Sequence, residues 1–398
     1  MQMNQAFRLS FLLPSAYAQL HGAAKTAGLL YFGTETESVS FGDAAYQAAL
    51  KGNNDFGQIT PGNSMKWDSI QPAPNTFSFT AGDAIANLAT ANNQLLRCHN
   101  LVWHQQLPAW VSGGNWTAAS LTAVLQNHIT TEVTHYKGNC YAWDVVNEAL
   151  NDNGTFRNDV FFNTLGMEYI KIAFQAAAAA DPAAKLYYND FGTEFPGVKS
   201  TAAQGIVKML KAASIKIDGV GFQAHFTVGG TPSVATQVTN MQAFTALGVE
   251  VAITELDIRM TLPQTDALLA QQKTDYQTTA AACLATKNCV GLTVWDFDDK
   301  YSWIESTFPG TGSGDLMDAT VTKKPAYFGV LQAFTGKASN STNSTGTGNS
   351  STTPTKANTT VSAAPLKVSN SSQASGLDRT GLVSGLLLSL IFAMVILI

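Results

Sequence analysis

The sequence predicts an α/β protein built as one closed (β/α)8 barrel. Short runs rich in β-branched residues alternate with Ala-rich helical segments through the middle of the chain, at the spacing of repeated βα units. Eight such runs are found, and eight βα units in about 300 residues favour a closed barrel. Periodicity alone leaves an open doubly wound sheet as an alternative, because that fold shows the same alternation.

The predicted strands end in residues that carry chemistry. The strands are placed at 29–33, 58–60, 95–99, 142–147, 185–189, 219–223, 251–255 and 291–295. Polar and aromatic residues lie at or just after their carboxyl ends, namely Asn63, His99, Asn147, Glu148, Gln223, Glu255 and Trp295. Because the carboxyl ends of the strands form the active-site face of a barrel, we expect a functional site there.

The two ends of the chain differ from the middle. Arg8, the apolar stretch 9–13 and a small-x-small site ending at Ala18 predict a signal peptide over 1–18; an apolar chain terminus is the alternative. The catalytic domain is then expected over 19–336. Segment 337–381 is dominated by Ser, Thr, Asn and Gly, which predicts a disordered, O-glycosylated stalk.

The segment 382–398 is almost wholly apolar and is at the short limit for a bilayer span. Small residues from Asn370, a polar spacer and this tail match a GPI-attachment signal, with Ser375-Gly376 as a second attachment site and a retained tail anchor as the rival. These features predict a secreted protein held at the cell surface, on the plasma membrane or cell wall, with membrane contact only through this C-terminus.

Composition is that of an exported globular protein. Charged residues make up 13% of the chain, against roughly 25% in ordinary soluble domains. The net charge is -5 with no Lys/Arg run, which argues against nucleic acid as a partner; we expect a monomer. N-glycosylation sequons begin at Asn115, Asn153, Asn340, Asn343, Asn349, Asn358 and Asn370.

Two apolar strands end in an acid, Glu148 and Glu255. Strand-end acids also form structural ion pairs. Two carboxyl groups on facing walls of one barrel mouth are, however, what glycosidic cleavage requires. Trp103, Trp295 and Trp303 fall in loops after strands, where flat rings can stack on sugars, whereas Trp143 lies inside a strand and is expected in the core.

At this point the chain resembles glycoside hydrolase family 10 xylanases, across about 19–336. The resemblance rests on ITPGNSMKW (59–67), HNLVWH (99–104), WDVVNE (143–148), GFQAH (221–225), ITELD (253–257) and KPAY (324–327). It implies endo-hydrolysis of 1,4-β-xylosidic bonds in xylan by a retaining mechanism, with Glu148 as acid/base and Glu255 as nucleophile. Their carboxyl groups would then be about 5 to 5.5 Å apart.

The resemblance also assigns supporting roles. His225 and Asp257 are similar to a network that orients the nucleophile, and Asn147 corresponds to the residue that hydrogen-bonds the sugar 2-OH. Sugar contacts on the glycone side correspond to Asn63, Lys66, His99, Trp103, Gln106, Gln223, Trp295 and Trp303, with His225 also in the substrate site. No cofactor is implied, and no His, Asp or Glu set has tight metal-ligand spacing.

Two departures concern substrate binding. Gly62 stands where the family usually has a Glu that contacts the sugar two sites before the cleaved bond, and Phe191 stands where a Tyr is usual. The loss of a charged hydrogen-bonding partner would weaken that position by about 1 to 3 kcal/mol unless something replaces it. A broader β-1,4-glycanase that also cleaves cellulose, and an inactive glycan-binding wall protein, are therefore kept as alternatives.

The cysteines predict one disulfide. Cys283 and Cys289 flank the turn into the last strand, and in an exported protein we expect them to pair. Cys98 ends one predicted strand and Cys140 begins the next, which predicts a separation of about 20 Å at about 3.3 Å per residue. These two are therefore predicted to be buried free thiols.

Overall fold

The computed structural model describes residues 19–52 and 55–336. Parallel strands with helices between them close into a (β/α)8 barrel, which confirms the predicted fold. The strands, β1 to β10 in chain order, are Tyr31–Thr36, Gln58–Pro61, Leu95–Val102, Cys140–Asn147, Lys185–Asp190, Gly219–Phe222, His225–Thr227, Glu250–Thr261, Cys289–Val294 and Thr311–Gly312. The closed sheet follows the order β1-β2-β3-β4-β5-β6-β8-β9, and β9 returns to β1.

Helices surround this sheet. In chain order, α1 to α13 are Leu20–Thr26, Ala44–Gly52, Trp67–Ile70, Thr80–Ala91, Ala109–Ser112, Ala118–His135, Val160–Leu165, Glu168–Ala180, Val198–Ala212, Val234–Thr245, Asp266–Ala285, Ile304–Thr307 and Pro325–Thr335, with a 3-10 helix at Ser38–Gly42.

Capping residues satisfy or end the backbone hydrogen-bonding pattern of two helices. Thr117 and Ser120 form a capping box at the start of α6, each side chain accepting from the other's backbone N–H. α13 begins with Pro325, whose missing N–H costs nothing there, and ends at Gly336 in the left-handed conformation.

All eight predicted barrel strands are present, and three of them run at least three residues further than predicted: β1 continues past Gly33 to Thr36, and β3 and β8 are also longer. β3 continues past His99 to Val102, and β8 continues past Glu255 to Thr261, with irregular register in both pairings. The extension of β8 is paired by the short strands β7 and β10, which were not predicted. His99 and Glu255 therefore lie within strands, where neighbours on both sides hold them.

The barrel interior is tightly filled. A Cβ added at Gly219 would collide with the ring of Tyr187, and one added at Gly291 would collide with the ring of Tyr31. The Arg97 guanidinium lies 5.0 Å from the centroid of the Tyr187 ring. Glycine at these strand positions therefore makes room for large aromatic side chains.

The structure corrects one cysteine prediction. Cys283 and Cys289 are bonded as expected, with 5.3 Å between their Cα atoms. Cys98 and Cys140, predicted to be free, form a second disulfide with 5.8 Å between Cα atoms. The error lies in strand length and stagger: β3 runs on to Val102, so Cys98 is in its first half, and Leu96 is the residue opposite Cys140.

Several predictions fall outside the described residues. These are the signal peptide over 1–18, the stalk over 337–381, the apolar tail over 382–398, and the sequons that begin at Asn340, Asn343, Asn349, Asn358 and Asn370. The two remaining sequon residues, Asn115 and Asn153, are exposed. Within 19–52 and 55–336, no helix combines the length and apolar character needed to cross a membrane.

Candidate active site

Glu148 directly follows β4, where the chain turns with a φ of 56°. Its backbone N–H donates to the carbonyl oxygen of Asn189 at 2.8 Å. The carboxyl group receives a hydrogen bond from Trp103 Nε1 to Oε2 at 2.8 Å and one from Gln223 Nε2 to Oε1 at 3.0 Å. Asn147 Nδ2 donates to the same Oε1 at 3.3 Å, so the hydrogen-bond donors are one indole and two amides, all uncharged. His104 Nδ1 lies 3.9 Å from Oε2, and burial lowers the pKa of this imidazole.

Glu255 has a different environment. Asn189 Nδ2 donates to its Oε1 at 2.7 Å, and His225 Nε2 lies 3.2 Å from its Oε2. Burial alone would raise the pKa of Glu255, but the His225 hydrogen bond and the charges of His99 and His225 lower it below the usual value. Glu255 is therefore held ionised, as a nucleophile or a base must be.

His225 is kept charged by two carboxylates. Its Nδ1 lies 2.7 Å from Asp257 Oδ2, which also accepts from Trp303 Nε1 at 2.8 Å. Burial by itself would lower the pKa of His225, but Asp257 and then Glu255 outweigh it and raise the pKa to about 10. As an imidazolium, His225 donates one N–H to each carboxylate.

A network of amides joins the two glutamates. Asn189 Nδ2 donates to Glu255 and to Asn147 Oδ1, at 2.7 and 2.8 Å. Gln223 Nε2 donates to Glu148 Oε1 at 3.0 Å and to Asn147 Oδ1 at 3.3 Å. The relative position of the two carboxyl groups is therefore set by three side chains at or next to the carboxyl ends of β4, β5 and β6.

Asn189 was not among the predicted site residues. Thr254 Oγ1 donates to its Oδ1 at 2.6 Å, which orients the Asn189 amide so that its NH2 group faces the carboxylate. The signal was present in the sequence, since Asn189 ends a predicted strand just as the other site residues do.

His99 is positioned by a buried ion pair. Its Nδ1 lies 3.0 Å from Asp144 Oδ2, and the other oxygen of Asp144 accepts a hydrogen bond from Arg97 Nη2 at 2.7 Å. Burial raises the pKa of Asp144, but Arg97 and His99 more than offset this and lower it. The same His99 nitrogen is 3.9 Å from Glu255 Oε1, so this charge chain runs from the barrel interior to the nucleophile candidate.

The glutamates lie in a cavity of about 520 Å³, and a second cavity of about 370 Å³ adjoins it. Trp103, Trp295 and Trp303 line both cavities, as does Lys66, so the two form one cleft. The three loop tryptophans are where sugar stacking was predicted, whereas Trp143 is fully buried in the core as expected.

Lys66 organises the polar wall of the second cavity. Its Nζ donates to Gln106 Oε1 at 2.7 Å and to Asn63 Oδ1 at 3.1 Å, and lies 4.7 Å from the Trp103 ring centroid. Lys66, Asn63 and Gln106 all line the second cavity. Every predicted catalytic or sugar-binding residue therefore lines one of the two cavities, whereas the predicted orienting residue Asp257 lies behind His225.

Four residues in or beside the cleft have a left-handed backbone. The φ values are 45° for Gln106, 56° for Glu148, 63° for Ala224 and 66° for Asp296. None is glycine, so each conformation costs about 1 to 3 kcal/mol that the surrounding structure must offset.

Other cleft residues were missed or have unexpected partners. Phe191 lies in the catalytic cavity, and Lys199 Nζ lies 3.5 Å from the centroid of its ring. Arg259 also lines this cavity, and Glu35 and Asp296 line the adjoining one. Within the described ranges there is no group of three or more His, Cys, Asp or Glu side chains that could hold a metal ion.

Comparisons with known proteins identify the family of this chain. The model of the family "Glycosyl hydrolase family 10" matches residues 19–333. Endo-1,4-beta-xylanase D of Talaromyces funiculosus is 60% identical over 316 residues, which is 79% of this chain and 77% of that relative. Endo-1,4-beta-xylanase C of Phanerodontia chrysosporium is 56% identical over 321 residues, covering 81% and 80%.

A solved structure is similar in fold. The crystal structure of a xylanase of this family from Bispora sp. MEY-1 with xylobiose superposes with a TM-score of 0.78 at 48% sequence identity. The match covers 79% of this chain and 99% of that one.

Proposed function

The chain belongs to glycosyl hydrolase family 10 and is an endo-1,4-β-xylanase, and from this premise we propose a retaining double displacement with Glu148 as acid/base and Glu255 as nucleophile. The observation that carries the assignment is the asymmetry of the two carboxyl groups. Glu255 accepts from the charged imidazolium of His225, whereas Glu148 accepts from the neutral donors Trp103 and Gln223.

In the first step, the ionised Glu255 attacks the anomeric carbon of the sugar on the glycone side. Glu148 donates its proton to the glycosidic oxygen, the bond to the leaving sugar breaks, and a glycosyl ester forms on Glu255. As negative charge leaves Glu255, the His225 imidazolium remains paired with Asp257, so no unbalanced charge is left in the cleft.

In the second step, Glu148, now ionised, removes a proton from a water molecule. The hydroxide attacks the anomeric carbon, Glu255 leaves as a carboxylate, and the configuration of the anomeric carbon is retained overall. Asn147, whose Oδ1 is already held by Asn189 and Gln223, is proposed to hydrogen-bond the sugar 2-OH during this cycle.

Xylan is the substrate, and the adjoining cavity supports binding of several xylose rings on the glycone side. The tryptophan rings supply stacking surfaces. Asn63, Lys66 and Gln106 supply donors and acceptors for sugar hydroxyl groups.

The assignment is tested with Glu148→Gln and Glu255→Gln on two aryl xylobiosides, one with a good and one with a poor leaving group. We expect Glu255→Gln to abolish turnover of both. Glu148→Gln should fail on the poor leaving group, yet should form a glycosyl azide of retained configuration from the good one when azide is added. Azide product of inverted configuration, or equal activity of both variants, would refute the roles.

The exposed Glu168 gives a matched control, since its carboxylate pairs with Lys171 and lines neither cavity of the cleft; Glu168→Gln should leave both rates unchanged. Parallel assays on xylan and carboxymethylcellulose decide between a xylanase and a broader β-1,4-glycanase. The case for the broader activity rests on Gly62, which leaves no side chain at that position.

Export and anchoring are further parts of the proposal. The support comes from sequence: the leader over 1–18, the Ser/Thr-rich stalk and the apolar tail over 382–398. We expect a monomer attached through a lipid at Asn370, with N-glycans on the exposed Asn115 and Asn153. Treatment of cells with a phosphatidylinositol-specific phospholipase should release xylanase activity, and an unchanged cell-bound fraction would exclude the lipid anchor.

A further inference from the structure

The smaller cavity of the cleft contains two buried carboxyl groups that the proposed mechanism does not use, Glu35 and Asp296. They are 5% and 6% exposed, and they are hydrogen-bonded to each other. Neither Glu148 nor Glu255 lines this cavity, so a sugar bound in it is at least one ring away from the cleaved bond.

Glu35 occupies the space in front of Gly62. Strands β1 and β2 are parallel neighbours with Thr36 opposite Pro61, which brings Glu35 beside the residue that follows β2. A Cβ added at Gly62 would lie 2.7 Å from Glu35 Cδ and closer still to Oε1. A side chain at 62 would therefore displace the Glu35 carboxyl group from this position. With glycine at 62, the carboxyl group at this point of the cleft comes from β1.

The nearby Glu37, unlike Glu35, holds backbone groups of the loop after β2. Its carboxylate accepts from the backbone N–H groups of Asn63 and Ser64, the latter at 2.8 Å, and from the Ser64 hydroxyl. These hydrogen bonds fix the Glu37 carboxylate against the loop after β2. Glu35 has no such backbone role among its contacts and instead meets Asp296, the residue that follows Trp295 on the cavity wall.

The pair retains a proton at neutral pH. Burial raises the pKa of Glu35 and also that of Asp296, and the proximity of each carboxyl group to other acids raises it further. A carboxyl pair that shares a proton offers one O–H donor together with several acceptor lone pairs. A sugar hydroxyl group, which both donates and accepts, matches that combination, and Trp103, Trp295 and Trp303 line the same cavity for the ring faces.

We propose that Glu35, paired with Asp296, binds hydroxyl groups of the xylose ring one or more positions before the cleaved bond, and so replaces the contact that Gly62 cannot make. This inference rests on the proposed function. Glu35 is thus a specificity-determining residue, and it acts on substrates long enough to reach the second cavity.

The experiment compares kcat/KM on an aryl xylobioside and on the corresponding aryl xyloside. Glu35→Ala should lower kcat/KM on the xylobioside roughly 10- to 100-fold, the range for loss of a hydrogen bond to a charged or strongly polar partner. The xyloside, whose single sugar occupies the catalytic cavity, should be cleaved at the wild-type rate. Glu35→Gln, which preserves the side-chain shape, should show a smaller loss on the xylobioside alone.

A swap of the carboxyl group between strands is the sharper test. Gly62→Glu alone should impair the xylobioside reaction because its side chain displaces the Glu35 carboxyl group from its contact with Asp296. Glu35→Ala combined with Gly62→Glu should recover part of the loss seen in Glu35→Ala. The surface variant Glu168→Ala should match the wild type on both substrates.

Equal losses on both substrates in Glu35→Ala and Glu35→Gln, or no loss on either, would overturn the proposal. Absence of wild-type hydrolysis would instead refute the proposed function. In that case quenching of tryptophan fluorescence by xylotriose decides the Glu35 proposal: a raised Kd in Glu35→Ala supports it, and an unchanged Kd overturns it.

Discussion

The two disulfides should differ in their contribution to stability, because they close loops of different length. The perturbation is the double replacement Cys98→Ala/Cys140→Ala, compared with Cys283→Ala/Cys289→Ala. Both pairs are buried, with exposed fractions of 0% and 5% in the first pair and 0% and 7% in the second. Loss of sulfur packing is therefore similar in the two variants.

The expected magnitudes follow from the sequence separations, which are 42 and 6. In the chain-entropy model a cross-link removes about 2.1 + 1.5R ln n cal/mol/K from the unfolded chain. At 25 °C this is about 4 kcal/mol for the longer loop and about 2 kcal/mol for the shorter one. The free energy of unfolding should thus fall about 2 kcal/mol further when the Cys98–Cys140 bond is lost.

Guanidinium chloride unfolding of residues 19–336, followed by tryptophan fluorescence, measures both values. Xylanase activity at 25 °C serves as a check that each variant is folded before denaturant is added. A loss in the Cys283/Cys289 variant equal to or larger than that in the Cys98/Cys140 variant would refute the loop-entropy reasoning. Native-state contacts would then be the dominant contribution.

Three other perturbations address the site. His225→Gln removes the charge that lowers the pKa of Glu255, so the acid limb of the pH profile of kcat/KM should move to higher pH. Folding raises the pKa of His225 from 6.5 to about 10, so protonation of His225 should stabilise the fold fully below pH 6.5. This stabilisation should disappear as pH rises through about 10, where urea unfolding of the wild type and of His225→Gln should converge. Asn189→Ala removes the donor shared by Glu255 and Asn147 and should lower kcat roughly 10- to 100-fold. Because it also leaves the buried Thr254 hydroxyl without its acceptor, the melting temperature should fall as well, and an unchanged kcat would contradict the positioning role. Arg97→Met leaves Asp144 buried with His99 but without the guanidinium and should cost about 3 to 5 kcal/mol in urea unfolding. Part of this should be recovered in Arg97→Met/Asp144→Leu, which also removes the partner of His99; no recovery would mean that the Arg97–Asp144 pair is not the cause.

The fold and the two glutamates were predictable because their signals are local. Apolar runs that reach an acid at Glu148 and Glu255 predict a carboxyl group at the barrel mouth, although β8 continues past Glu255 to Thr261. The barrel then brings strand ends together, so residues far apart in sequence meet without any further information.

The missed features depend on how neighbouring strands are staggered. The Cys98–Cys140 bond exists because β3 is longer than predicted and Leu96, two residues before Cys98, faces Cys140. The approach of Glu35 to Gly62 likewise follows from the register of β1 against β2. Parallel-strand register is set by packing over the whole barrel, and no short stretch of sequence reports it.

The residues with a left-handed backbone around the cleft lower the stability of the fold at the place where the enzyme acts. Replacement of Gln106, Glu148, Ala224 or Asp296 by glycine would relieve the backbone at each position. A directed-evolution campaign that selects only for heat resistance would therefore accept glycine at Glu148, and the surviving enzymes would be robust and inactive. Any such campaign on this scaffold has to screen for turnover at every round.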